Sequence, residues 1–206
     1  MIRTQSSMPI LTRLVWMLVS WGAIGVVYSI SGQQGAHTAH VLTPTAIDRW
    51  FTFDPSAIWV YMSFFLFVPL GFFCTPPQRV KWLGRAMVIS ALGAGIVFYL
   101  FPTTMVFPPV TQTGPSAEAL KLLMHYDAVV NCLPSLHVTL TCLVLVALWR
   151  AGHLWRNLFL TGWALAILVS ILQLYRHQFV DLLAGLALAS VAGLLALWLS
   201  RKGGAL

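Results

Sequence analysis

NLFLTGWALAILVSILQLYRHQFVDLLAGLALASVAGLLALWL, residues 157–199, is two apolar runs parted by a short polar one. Each run has the roughly 20 residues needed to cross about 30 Å of hydrocarbon. The interruption, Tyr175 to Asp181, places Arg176, His177 and Asp181 where an ionisable group is costly and marks function by default. The stretch therefore predicts two membrane-spanning helices joined by a turn that carries chemistry.

Working outward, further runs of similar length recur between polar or Pro-rich breaks, giving spans near 10–30, 57–74, 86–101, 136–149, 157–175 and 179–199. The fold expected is all-α, a polytopic membrane bundle of about six transmembrane helices forming a single membrane domain over residues 1–206. No internal repeat or low-complexity tract interrupts it. One break, FPTTMVFPPVTQTGPSAEALKLLMHYDAVVNCLP, is too long for a turn, and SAEALKLLMHY within it reads as a short amphipathic interfacial helix capped by Ser116.

Composition agrees. Only 8% of the 206 residues are charged, against about 25% in a soluble domain, and 59% are hydrophobic. Nine Trp, twelve Phe and five Tyr suit interfacial belts. The net charge of +7 comes from scattered basic residues at the ends of apolar runs, with no continuous face for nucleic acid. Cys74, Cys132 and Cys142 are odd in number and lack C-x-x-C spacing, so neither a disulfide framework nor a zinc site is expected. The first apolar run has no clean small-residue cleavage site and reads as a retained helix.

With a cytoplasmic amino terminus, nine basic residues fall inside: Arg3, Arg13, Arg79, Lys81, Arg85, Arg150, Arg156, Arg201 and Lys202. Three fall outside: Arg49, Lys121 and Arg176. The positive-inside rule then puts both termini in the cytoplasm. NCLPSLHV (Asn131–Val138), YRHQFVD and the long break all share the extracytoplasmic face.

On a helix, His177 and Asp181 at i, i+4 share a face, and the carboxylate can orient the imidazole and stabilise its developing charge. His177 is thus the candidate nucleophile and Asp181 its partner. Pro134 and Ser135 stand where the next helix begins, and a helix amino terminus attracts a phosphate, with the Ser135 hydroxyl or backbone assisting. His137 in the first turn is placed to protonate a leaving alkoxide. No metal or cofactor is called for. Arg176 reads equally as a phosphate ligand or an interfacial anchor. Lys121, His125 and Asn131 are the other substrate-binding candidates in the outer loop, Asn131 also as a loop-fixing residue. His37 and His40 belong to no motif, and His153 reads as a solvated turn residue.

PSLHV and HQFVD resemble the second and third motifs of the type 2 phosphatidic acid phosphatase superfamily of lipid phosphatases and phosphotransferases. NCLPSLHV, followed some forty residues later by HxxxDLLAG, is most similar to the branch containing inositol phosphorylceramide synthase. The resemblance implies a six-helix core, a phosphohistidine on His177 with Asp181 as its partner, His137 as acid, an outward-facing site and a membrane lipid phosphate as substrate. Two departures stand out. Ser170 and Ile171 occupy the positions of the family's Ser-Arg, and the first motif survives only as a degenerate FPTTMVFPPV.

Other readings of the same residues remain at this stage. His177 and Asp181 can serve as structural glue between helices, and two His with one Asp lack an obvious fourth ligand for a metal. A lipid-phosphate binder or a transporter uses such groups too, although no inverted repeat is visible. Oligomeric state is not encoded in any feature noted.

Overall fold

The computed structural model describes residues 8–32 and 39–202. Arg3 and His37 lie outside the described residues. The chain forms α1 (Ile10–Gly32), α2 (Ile58–Met62), α3 (Phe64–Cys74), α4 (Pro77–Leu100), α5 (Pro115–Tyr126), α6 (Leu136–Leu148), α7 (Leu154–Gln173) and α8 (Phe179–Lys202). Among the described residues the only strands are His40–Val41 and Thr103–Thr104, two residues each and paired in parallel.

Five segments are long and apolar enough to cross a membrane: α1, Pro55–Cys74, α4, α7 and α8. Pro55–Cys74 joins a 3₁₀ turn to α2 and α3, and Pro69 inside α3 is tolerated as prolines in membrane helices are. The shorter apolar helix is α6. Its 13 residues give about 20 Å of length, against about 30 Å of hydrocarbon. These helices make the chain an integral membrane protein.

Two local expectations are corrected. α4 starts at Pro77, well before residue 86, because Pro77 supplies the fixed φ favoured at a helix start while Arg79, Lys81 and Arg85 hide the first turns from a hydropathy reading. α5 is capped by Gly114, at φ 106°, followed by Pro115; Ser116 sits inside the helix, where its hydroxyl accepts from Trp59 Nε1 at 3.0 Å.

α6 is the centre of the bundle, packed on α3, α4, α7 and α8, and α1 leans on α4 and α3 from outside. Side chains pointing outward are apolar: Leu18, Val26, Leu92, Ile96, Leu165 and Leu194 are all more than half exposed, as suits a lipid solvent. Between helices in lipid, close backbone approach replaces the hydrophobic drive. At Gly84 of α4, an added Cβ would stand 2.3 Å from the Trp16 indole of α1. Gly84→Val is therefore expected to push α1 from α4 and lower the melting midpoint in detergent, at a cost of about 1–3 kcal/mol; an unchanged midpoint would deny that contact its role.

Candidate active site

The turn between α7 and α8 is built by a Schellman closure. Arg176 N–H donates to Ile171 O at 3.1 Å and Tyr175 N–H to Leu172 O at 3.1 Å. That geometry wants glycine at the position Tyr175 holds, and Tyr175 adopts φ 50°. A left-handed tyrosine costs on the order of 1–3 kcal/mol, offset here by contacts of its side chain. Its hydroxyl donates to Phe51 O at 2.7 Å and its ring packs 5.7 Å from Phe53.

Residues 42–54 strap the turn from outside. Gln178 Nε2 donates to Leu42 O at 3.0 Å, Phe179 N–H to Asp48 Oδ1 at 2.6 Å, and Asp54 N–H to Gln173 O at 3.0 Å. Asp48 thus caps the first residue of α8, with its other oxygen accepting from Thr45 N–H and Oγ1 at 2.7 Å each. A carboxylate at that end also complements the helix dipole.

Asp181 lies in the first turn of α8 with no exposed surface. Its Oδ2 accepts from Gln178 N–H at 2.9 Å, the reach-back half of a capping box, and meets His177 Nδ1 at 3.3 Å. His177 precedes the helix, so the pair meets across the capping turn rather than along the helical face that its i, i+4 spacing suggests. His177 is 8% exposed.

α6 enters at the same level. Ser135 N–H donates to Asp181 O at 3.1 Å, and Thr139 Oγ1 bridges Ser135 O and Gly185 O at 2.9 Å each. A Cβ on Gly185 would lie 2.6 Å from Ser135 O, so the DLLAG glycine is what lets α6 and α8 meet. Ser135 is fully buried, and its hydroxyl caps α6 at Val138 N–H, 3.5 Å away. Its N–H is engaged by Asp181 O and its Oγ accepts from Val138 N–H, which leaves the hydroxyl hydrogen for a further partner.

That junction sets the His137 ring 5.8 Å from the His177 ring, edge to face. His137 Nε2 is 2.9 Å from the Tyr61 hydroxyl, and its ring packs on Phe64 at 4.6 Å. Tyr61, on α2, is a site residue that the sequence reading missed.

Arg176 is 5% exposed. Its Nη2 donates to Asp127 Oδ2 at 2.6 Å and its guanidinium lies 4.6 Å over the Phe107 ring, within the degenerate FPTTMVFPPV stretch. The Tyr28 hydroxyl of α1 donates to the other Asp127 oxygen. Arg176 Nε and Asp181 Oδ1 are buried without a hydrogen-bond partner among the described residues. Asn131 donates to Tyr28 O at 3.2 Å and bridges Thr103, which makes it a loop-fixing residue.

Lys121 and His125 are not brought to this cluster by any contact among the described residues. Lys121 pairs with Glu118 at 2.9 Å on the exposed side of α5, and His125 meets Tyr126 edge to face. His40 lies on Phe101, 4.3 Å between rings. Among the described residues no three His, Cys, Asp or Glu side chains stand together as metal ligands.

A membrane bundle whose two histidines and buried carboxylate converge at one end fits a membrane-embedded phosphoryl-transfer enzyme. The chain belongs to the PAP2 superfamily, whose family model matches residues 45–195. No curated protein and no solved structure matches it. Membership supports a lipid phosphatase or phosphotransferase kind of function, and the superfamily generally hydrolyses phosphate esters.

Two outcomes follow from this geometry. Asp48→Ala removes the cap of α8 and is expected to lower stability by about 1–2 kcal/mol, read as a fall in the detergent melting midpoint. Burial, with the charge of Asp181 adding to it, pushes the Cys132 thiol up to about 12. At pH 9 it then carries roughly a thousandth of a thiolate, so maleimide should label exposed Cys74 and leave Cys132 unlabelled until the protein unfolds.

Proposed function

We propose that the protein moves a phosphoryl group from a membrane lipid phosphate through a covalent phosphohistidine on His177, without a metal ion. The observation that carries this reading is the pair of imidazoles 5.8 Å apart, one of them anchored at Nδ1 by a buried carboxylate. Asp181 holds His177 Nδ1, so Nε2 is the attacking atom. Nε2 bonds to phosphorus as the ester P–O bond breaks, and His137 gives its proton to the departing alkoxide. Water or a lipid hydroxyl then attacks the phosphohistidine, returns a proton to His137 and frees His177. Tyr61 fixes the His137 ring, and Arg176 supplies positive charge that Ser170 and Ile171 do not.

The depth of the site supports a lipid substrate. α6 is about 10 Å shorter than the hydrocarbon is thick, so with one end at an interface the His137 end is recessed and reached sideways from the bilayer. Charge asymmetry supports an extracytoplasmic site with both termini in the cytoplasm. The same groups serve a phosphatase or a transferase, which differ in the acceptor. NCLPSLHV and HxxxDLLAG favour an inositol phosphorylceramide synthase-like transferase as the second reading.

The test is turnover of a panel of lipid phosphates by purified protein in detergent with excess chelator. Release should persist with chelator, fall by at least three orders of magnitude in His177→Ala, and fall by about two to four orders in Asp181→Asn. Turnover only with an added lipid hydroxyl would select the transferase. Turnover that survives His177→Ala would sink the covalent mechanism, and lipid binding without turnover would leave a binder.

A further inference from the structure

All five acidic residues of the chain, Asp48, Asp54, Glu118, Asp127 and Asp181, belong to the end of the bundle that holds His177. At the other end, where α6 finishes, lies a cavity of about 980 Å³ into which Arg13, Arg79, Arg150 and Arg156 all turn. Among the described residues none of the four has a carboxylate partner. Each is held on backbone carbonyls that finish α3 or α6: Arg13 on Phe72 O at 2.6 Å and Thr75 O at 2.8 Å, Arg79 on Trp149 O at 2.7 Å, Arg150 on Cys74 O at 3.2 Å, and Arg156 on Leu148 O at 2.6 Å.

Two helix carboxyl ends carry about half an elementary negative charge each, which leaves most of four positive charges uncompensated. Topology alone asks only that arginines lie on this side of the membrane. Here all four line one cavity, Arg13 and Arg156 half-buried and Arg79 and Arg150 at its exposed rim, and the turn bearing Arg150 is locked by Asn157, whose Nδ2 donates to Arg150 O at 2.7 Å. A separate observation points to a ligand. Thr75 lines the same cavity, is 1% exposed, and its hydroxyl has no hydrogen-bond partner among the described residues.

We infer that this cavity binds the anionic headgroup of a phospholipid from the leaflet opposite the candidate active site. Its walls include Trp149 and Trp163, and Trp149, Trp155 and Trp198 stand about half exposed or more at this end. Exposed tryptophans mark headgroup depth, and basic pockets between helices at that depth take lipid phosphates. The phosphate oxygens accept from the arginines and from Thr75 Oγ1 while the acyl chains pass out between the apolar walls. This site is independent of the phosphoryl-transfer reading.

The test is native mass spectrometry of the full chain in detergent, titrated with phosphatidylglycerol or phosphatidylcholine, with and without millimolar inorganic phosphate. The wild type should hold one phosphatidylglycerol at least tenfold more tightly than phosphatidylcholine, and inorganic phosphate should not displace it. Arg150→Gln with Arg156→Gln should erase that preference, by about fivefold or more per arginine, and Thr75→Val should weaken it several-fold while keeping the packing. Equal retention of the two lipids, displacement by inorganic phosphate, or an undiminished preference in the arginine variant would overturn the proposal. Should the arginine variant not fold, an undiminished preference in Thr75→Val overturns it alone.

Discussion

Asp181 puts a carboxyl group into a place with no exposed surface, and the contacts around it make that tolerable. A buried polar group is costly unless it is hydrogen-bonded. Gln178 N–H, the amino end of α8 and His177 Nδ1 together stabilise it. The same residue's backbone oxygen receives Ser135 N–H, so the residue that orients His177 also ties α6, and with it His137, to α8. Gly185 completes the joint by leaving room for Ser135 O. The distance between the two histidines thus depends on the start of α6 being tied to the first turn of α8, beside the turn that carries His177.

Outside this joint, stiffness comes from the strap of residues 42–54. It holds a turn that would otherwise relax, since Tyr175 occupies a conformation that favours glycine. Strain at a functional turn persists only where surroundings over-determine it, and the Phe51, Asp54, Asp48 and Leu42 contacts do so on both sides of His177. The bundle is also polarised. One end gathers every acidic residue and the other gathers arginines held on helix carboxyl ends, so each end presents a different chemistry to its membrane surface.

Much of this was legible in the chain. Apolar runs of membrane length gave the helices, and HQFVD with PSLHV pointed to the residues that meet. Boundaries slipped where charge masked a helix start, as at Arg79 to Arg85, or where Gly114 rather than Ser116 formed the cap. The His177–Asp181 contact was expected along a helix and exists across a capping turn, because the helix begins only at Phe179. Ser135 also caps α6, a role its place at the helix start permits beside the one the chain suggests. Tyr61, Tyr28 and Asp48 escaped notice for one reason: their partners lie 76, 99 and 131 residues away, and no short motif encodes such pairings. Arg176, which the chain offers as a phosphate ligand or an interfacial anchor, is buried and paired with Asp127, a partner that no spacing announces.

The most direct test of the central claim is to trap the intermediate. Protein mixed with a lipid phosphate labelled at phosphorus is quenched in base within one turnover, digested, and mapped by peptide mass spectrometry. A phosphoryl group stable to base, labile to acid and located on His177 is the predicted result. Turnover with no label on His177 at any quench time, or label on another residue, would contradict the account.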